Sequence, residues 1–156
     1  MAEDLRSRLI AHGALVFLAG LLAGFPFAFF ELGKIALWPL PGEVAVSLPG
    51  DVRAWRMAHL EGILNGLTLF AVAALWHHLR LRPGEQSFLF WALLVTAWGN
   101  VVASLLGPMS GGRGLEFGGG IANSVMYLLF VAAVGGILAA MVLVFVGARR
   151  KAVPKS

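Results

Sequence analysis

Four long apolar stretches constrain the fold of this chain more than any other feature. They cover residues 9–30, 59–79, 87–107 and 121–146, and Glu61 is the one formally charged residue within them. Each is about 20 residues or longer, enough for a helix to cross a hydrocarbon core of about 30 Å. Backbone groups in lipid must pair within their own segment, which favours helices over open strands. We therefore predict an all-α fold, a single four-helix transmembrane bundle.

The composition agrees with a membrane protein and excludes several soluble classes. The chain is 59% hydrophobic and 13% charged, whereas soluble domains carry about 25% charged residues. The mean hydropathy is +0.84. The chain has no cysteine, which excludes disulfides, thiolate metal sites and a cysteine nucleophile. The sequence also lacks the Walker, G-x-S-x-G and H-E-x-x-H motifs of soluble enzymes.

The basic residues predict how the chain is oriented. The isoelectric point near 10.4 does not indicate a nucleic-acid partner, because the basic residues flank apolar stretches instead of forming one basic face. Four spans place both termini on one side. The side of the termini carries eight basic residues: Arg6, Arg8, Arg80, Arg82, Arg149, Arg150, Lys151 and Lys155. The opposite side carries four: Lys34, Arg53, Arg56 and Arg113. The positive-inside rule thus predicts cytoplasmic termini, and we expect the membrane to be a bacterial inner membrane.

The segments between the spans differ in character. The first outer loop, 31–58, is long enough to be functional, and its "EVAVSL" alternation predicts a small hairpin. The last outer loop, "GPMSGGRGLEFGGG", is glycine-rich and therefore suited to unusual backbone angles. The tail 150–156 is predicted to be disordered. The tryptophans are predicted to form interfacial belts: Trp38, Trp55, Trp76, Trp91 and Trp98.

Two asparagines are predicted to lie at one depth in the membrane. Asn65 follows His59 by six residues, which is about 9 Å along a helix. Asn100 precedes the outer end of the third span, Gly107, by seven residues, or about 10 Å. Amides within a bilayer are costly and usually functional. The alternative is that the pair only joins two helices by a hydrogen bond.

His59, Gly62 and Gly66 form one face of the second helix, within about 60° of one another. A histidine above two glycines suits close approach by another helix. It also suits a porphyrin held by the imidazole. A purely interfacial role for His59 is the alternative. Glu61 shares a stripe with Asn65, and its position near the interface predicts a solvated side chain.

The other histidines lie near the inner boundary and offer a different haem site. His12 with His77 or His78 could ligate a haem from both sides, as in an electron-carrying b-type cytochrome. His59 has no second histidine at its own level. Iron held by His59 alone keeps a position open, and such an iron can act as a Lewis acid.

The segment "PGDVRAWRMAHLEGILNG" resembles the second-helix entry of the styrene oxide isomerase family, with its W-x-x-A-H followed by N-G. The run "AWGNVVAS" is similar to the family's third-helix W-x-N-V, and "RGLEFG" to its R-G-L-x-F-G loop. The order and spacing agree over about residues 5 to 147. The stretch "AHLEGILNG" also resembles the H-L-E-G of membrane hydroxylaminobenzene mutases.

This resemblance implies a homotrimeric membrane isomerase with haem b between subunits. It implies that His59 is the axial ligand, with Gly62 and Gly66 beside the haem, and that Asn65 and Asn100 orient the substrate. The family has an active-site tyrosine where this chain has Ser104. Arg56 and Arg113 are candidate partners of the haem propionates, or solvated loop charges.

The resemblance implies a Meinwald rearrangement of a small apolar aryl epoxide to its aldehyde, with ferric haem as Lewis acid. Three alternatives stay open. One is a mutase that moves oxygen from an arylhydroxylamine nitrogen to the ring. The others are a non-enzymatic haem or electron-transfer protein and a membrane protein without cofactor.

Overall fold

The computed structural model describes residues 2–35 and 39–150, and in them the chain is a bundle of four long helices. All four are long and apolar enough to span a membrane. The predicted all-α transmembrane fold is therefore confirmed. Trp38 and the tail 151–156 lie outside the described residues. The helices are α1 (Ala2–Leu32), α2 (Val52–Leu75), α3 (Pro83–Ser110) and α4 (Ile121–Arg149).

α2 begins at Val52, seven residues before the predicted span. Its start is fixed by Asp51, whose carboxylate accepts a hydrogen bond from the Ala54 amide at 2.8 Å. Such N-caps stabilise a helix by about 1 kcal/mol. The predicted outer loop 31–58 is therefore too long, because its last seven residues are helical. A 3₁₀ turn, Trp76–His78, closes the other end of α2.

The predicted hairpin is confirmed in the remaining part of this loop. Strand β1 (Lys34–Ile35) pairs antiparallel with β2 (Val44–Ala45). An ion pair between Lys34 and Glu43 joins the two arms. The hairpin lies at the end of the bundle that also carries the 111–120 loop, called here the loop end. The opposite end, with the start of α1 and the end of α4, is called the termini end.

Glycines allow α1 and α2 to pack backbone against backbone. A methyl group added at Gly20 would lie 2.6 Å from the amide nitrogen of Ile63, and one at Gly66 would lie 2.7 Å from the Phe17 Cβ. Gly62 faces Gly20 directly. This is the small-residue packing that brings transmembrane helices close together.

α3 forms the centre of the bundle, in contact with α1, α2 and α4. Thr96 joins it to α4, because its hydroxyl donates to the Ala92 carbonyl at 2.9 Å and lies 3.0 Å from the Ala133 carbonyl. At the termini end, Arg150 pairs with Glu85 at 2.7 Å. The prediction that disorder begins at residue 150 is thus wrong for Arg150, which this ion pair holds.

The outer faces of the bundle are apolar and uncovered. The most apolar window of α4 is only 11% buried and that of α1 only 22%, against 61% for α3. Exposed leucine, valine and phenylalanine side chains cover these faces. Surfaces of this kind are stable against lipid or against another apolar surface. The bundle is therefore an integral membrane structure.

Candidate active site

His59 lies on the face of α2 that packs on α1, and three contacts fix its ring. Its Nδ1 lies 2.9 Å from the Gly20 carbonyl oxygen. The ring sits over Gly24, where a methyl group would come within 2.8 Å of Nδ1. Phe27 stacks on the ring, with the centroids 6.0 Å apart. A carbonyl can only accept, so Nδ1 carries the proton and Nε2 keeps a lone pair for a metal.

Asn65, Asn100 and Glu61 form a continuous hydrogen-bonded chain. Asn65 Nδ2 donates to the Glu61 carboxylate and to the Glu61 backbone carbonyl, each at 2.9 Å. Asn100 Nδ2 donates to Asn65 Oδ1 at 3.3 Å. The prediction that the two amides share one depth is therefore confirmed. Asn65 is buried, whereas Asn100 and Glu61 are half-buried.

The chain of polar groups opens into an apolar groove of about 480 Å³ between α2 and α4. Glu61 and Asn100 supply its polar wall, and Tyr127 of α4 faces the same space. The volume suits a small aromatic molecule. The remaining lining is mostly apolar: Met57, Gly114, Leu115, Phe130, Val131 and Val134.

Ser104 lies in a smaller cavity of about 80 Å³ that shares Met57, Leu115 and Phe130 with the groove. Its side chain is only 4% exposed. Among the described residues, its hydroxyl oxygen has no hydrogen-bond partner. Leaving a buried hydroxyl unpaired costs about 1–3 kcal/mol. The catalytic role of Ser104 stays a prediction.

His59 and the groove lie on opposite sides of α2. Glu61 is two residues after His59, which turns its side chain by about 200°. His59 is accordingly not among the residues that line the groove. The face of Gly62 and Gly66 is filled by α1. The prediction that these two glycines lie against a haem is therefore corrected, since they serve helix packing.

Arg56 and Arg113 are both exposed near the loop end. Arg113 borders the small cavity of Ser104. Its backbone amide donates to the Asn123 side chain at 3.0 Å, as does that of Gly114 at 2.8 Å. Asn123 thus orders the glycine-rich loop over the groove. A role of either arginine toward haem propionates stays a prediction.

The histidines near the termini end are not brought together. His12 Nδ1 accepts a hydrogen bond from Trp98 Nε1 at 3.2 Å. His77 pairs with Glu3 at 3.3 Å, and Glu3 is nine residues, or about 13 Å, from His12 along α1. One haem iron needs both nitrogens within about 2 Å of it. Within one chain, His12 and His77 are therefore not placed to share an iron.

Two groove residues are missing from the sequence prediction of the site. The sequence predicts a solvated Glu61, but the side chain is half-buried and accepts a hydrogen bond from Asn65. The four-residue spacing between Glu61 and Asn65 is the sequence signal that indicates this contact, because such residues are neighbours on one helix face. Tyr127 gave no such signal, because the sequence does not specify that α4 packs beside α3 with this face toward α2.

Comparison with known proteins identifies the family of this chain. The profile of the styrene oxide isomerase family matches residues 5–149. The chain is 32% identical over 110 residues to the hydroxylaminobenzene mutase HabB of Ectopseudomonas oleovorans, covering 70% of this chain and 56% of the mutase. It is 28% identical over 119 residues to the styrene-oxide isomerase of Pseudomonas fluorescens, covering 76% of this chain and 69% of that protein. The match thus spans just over half of the mutase. The chain belongs to the styrene oxide isomerase family and is related to isomerases.

Proposed function

We propose that this protein is a membrane isomerase that converts a small aryl epoxide to the aldehyde at a haem held by His59. The observation that carries the proposal is the chain of Glu61, Asn65 and Asn100 at the wall of an apolar groove within the spans. Polar groups at this depth are costly unless they serve a function. The groove can take an apolar substrate directly from the bilayer.

The donor set of this chain fits a haem with one protein ligand. His59 Nδ1 is committed to the Gly20 carbonyl, so Nε2 is the nitrogen that would hold the iron. The described residues contain no cluster of three or more histidine, cysteine or acidic side chains that could hold a metal without a porphyrin. Haem, when bound in the ferric state, supplies a Lewis acid for the oxygen of the substrate.

The opposite placement of His59 and the groove supports a site shared between copies. One chain cannot bring its own His59 to its own groove, because α2 separates them. A second copy that places its groove against the first copy's His59 completes the site. Repeating a head-to-tail contact gives a closed ring when its rotation closes, and the trimer expected from the family resemblance is such a ring. The uncovered apolar faces of α1 and α4 provide surface for the contact.

The reaction needs neither an oxidant nor a second substrate. One carbon–oxygen bond of the epoxide breaks, and its electron pair stays on oxygen. A hydride migrates to the carbon next to the ring, and the oxygen lone pair forms the carbonyl bond. Asn100 presents amide groups to the groove that can orient the oxygen, and the apolar walls hold the ring and exclude water.

A second candidate substrate is an arylhydroxylamine. The observation that favours it is Glu61 in the groove, because the H-L-E-G pattern resembles the mutases and HabB is a relative. In that reaction the nitrogen–oxygen bond breaks, oxygen bonds to a ring carbon, and the displaced ring proton moves to nitrogen. The product is again an isomer of the substrate.

Turnover by the purified protein distinguishes the two candidates. The ferric protein in detergent is incubated with styrene oxide or with phenylhydroxylamine, and the products are separated by chromatography. We expect phenylacetaldehyde from the epoxide, and its formation should fall to background in His59→Ala. His78→Ala, which alters an exposed histidine at the termini end, is the matched control. An aminophenol product without phenylacetaldehyde would favour the second candidate, and no product from either would refute both.

A further inference from the structure

Glu61 places a carboxylate on the groove without a counter-ion. Its side chain is half-buried in α2 and lines the groove. Among the described residues, no lysine, arginine or histidine forms an ion pair with it. One carboxylate oxygen accepts from Asn65, and no described residue donates to the other. Burial of an unpaired carboxylate favours its neutral form unless a positive charge comes close, so a cationic group in the groove is the partner that would keep Glu61 charged.

The two amides are aligned by the same carboxylate. Asn65 Nδ2 donates one hydrogen bond to the Glu61 carboxylate and another to the Glu61 backbone carbonyl. Asn65 Oδ1 is thereby turned toward Asn100 and accepts from its Nδ2. Hydrogen bonds in one direction polarise one another. Glu61 is thereby linked through Asn65 to Asn100, which also lines the groove.

We propose that Glu61 gives the groove a negative wall that stabilises positive charge on the substrate next to its aromatic ring. This inference rests on the proposed function but does not depend on which substrate is used. When a carbon–oxygen or nitrogen–oxygen bond breaks, the electron pair leaves with oxygen. The positive charge then spreads over the carbon or nitrogen and the ring. A fixed negative group aimed at such a charge lowers the barrier.

A binding experiment tests the charge without turnover. Benzylammonium is the cationic probe and benzyl alcohol its neutral counterpart, titrated calorimetrically into the purified holoprotein. Glu61→Gln removes the charge but keeps an oxygen acceptor for Asn65. We expect this variant to weaken the binding of benzylammonium about tenfold or more, because it removes an attraction at an effective dielectric of about 20. The affinity for benzyl alcohol should stay within about twofold of wild type. The control Glu31→Gln removes an exposed carboxylate at the end of α1 and should change neither.

Three binding results would overturn the inference. The wild-type protein could bind benzylammonium no more tightly than benzyl alcohol. Glu61→Gln could leave the preference for benzylammonium unchanged, or it could weaken the binding of both probes equally. The last result would show that Glu61 only supports the structure. The protein could instead prefer benzylammonium, and lose this preference in Glu61→Gln, while turning over neither substrate. That result would refute the proposed function but would leave the role of Glu61 in binding positive charge intact.

Kinetics with ring-substituted substrates provide the second test. Removing one electrostatic stabiliser of a transition state typically costs about 10²–10³ in kcat, so we expect Glu61→Gln to lose about 10² with a KM change below about threefold. The dependence of log kcat on the electron donation of para substituents should become steeper, because the ring must carry more of the charge. An unchanged slope with kcat within about twofold of wild type would contradict the inference.

Discussion

Substitution of Gly20 by alanine tests how the α1–α2 contact supports both the fold and His59. An added methyl group would lie 2.6 Å from the amide nitrogen of Ile63 and 2.7 Å from the Gly62 carbonyl carbon, whereas ordinary contacts begin at 3.4 Å. Both neighbours are backbone atoms and cannot rotate away. The helices must therefore separate by about 0.8 Å at this point, and closely packed interiors do not absorb such a change without cost.

The expected loss of stability has two parts. Overpacking typically costs about 1–3 kcal/mol. The shift of α1 also weakens the hydrogen bond between His59 Nδ1 and the Gly20 carbonyl, which measures 2.9 Å and contributes about 1 kcal/mol. We expect Gly20→Ala to lower the free energy of unfolding by about 2–4 kcal/mol. Equilibrium unfolding in mixed detergent and SDS micelles measures this difference.

A glycine with open space provides the matched control. A methyl group at Gly135 of α4 would meet nothing within 4 Å. Because alanine is a better helix former by about 1 kcal/mol, Gly135→Ala should leave stability unchanged or raise it slightly. Equal stabilities of Gly20→Ala and Gly135→Ala would refute the close packing described here. Under the proposed function, Gly20→Ala should also lower haem content, and full haem retention would contradict the positioning of His59 by α1.

The remaining predictions concern the groove and the termini end. Asn100→Ala should keep haem but lower turnover by about 10²-fold, and full turnover would remove this amide from the mechanism. Ser104→Tyr should fill the 80 Å³ cavity and raise styrene oxide turnover if the family pocket is retained, whereas a fall would indicate a different substrate. Tyr127→Phe keeps the ring but removes the hydroxyl, so a kcat loss with unchanged haem content would assign that hydroxyl to the reaction. Glu85→Gln breaks the half-buried ion pair with Arg150 and should lower the SDS midpoint only slightly, because solvent-screened pairs at the surface contribute about 1 kcal/mol or less.

The sequence predicts the spans and the depth of the amides because both depend on linear spacing. An apolar stretch must match the thickness of the membrane, and a constant rise of 1.5 Å per residue sets the level of Asn65 relative to His59. The start of α2 was predicted too late for a related reason. Hydropathy detects only the apolar part of a helix, and the polar turn that Asp51 caps carries no such signal.

The surroundings of the site residues depend on how the helices associate, which periodicity does not encode. The pattern of Gly62 and Gly66 predicts a close-approach face but not that α1 covers it. The number of residues between Glu61 and Asn65 indicates a shared stripe but not that α4 completes a groove over it. The separation of His59 from that groove by α2 follows from helical angles alone, yet its importance emerges only when the groove is located.

The absorption spectrum of the purified protein tests the central claim most directly. If haem is held by Nε2 of His59, the wild-type protein shows a Soret band, and His59→Ala, in a protein that elutes as a folded species, loses it. His12→Ala should retain the band, because that ring is engaged by Trp98. A wild-type protein without a Soret band after expression with ample haem, or a band that survives His59→Ala unchanged, would contradict the proposed haem site.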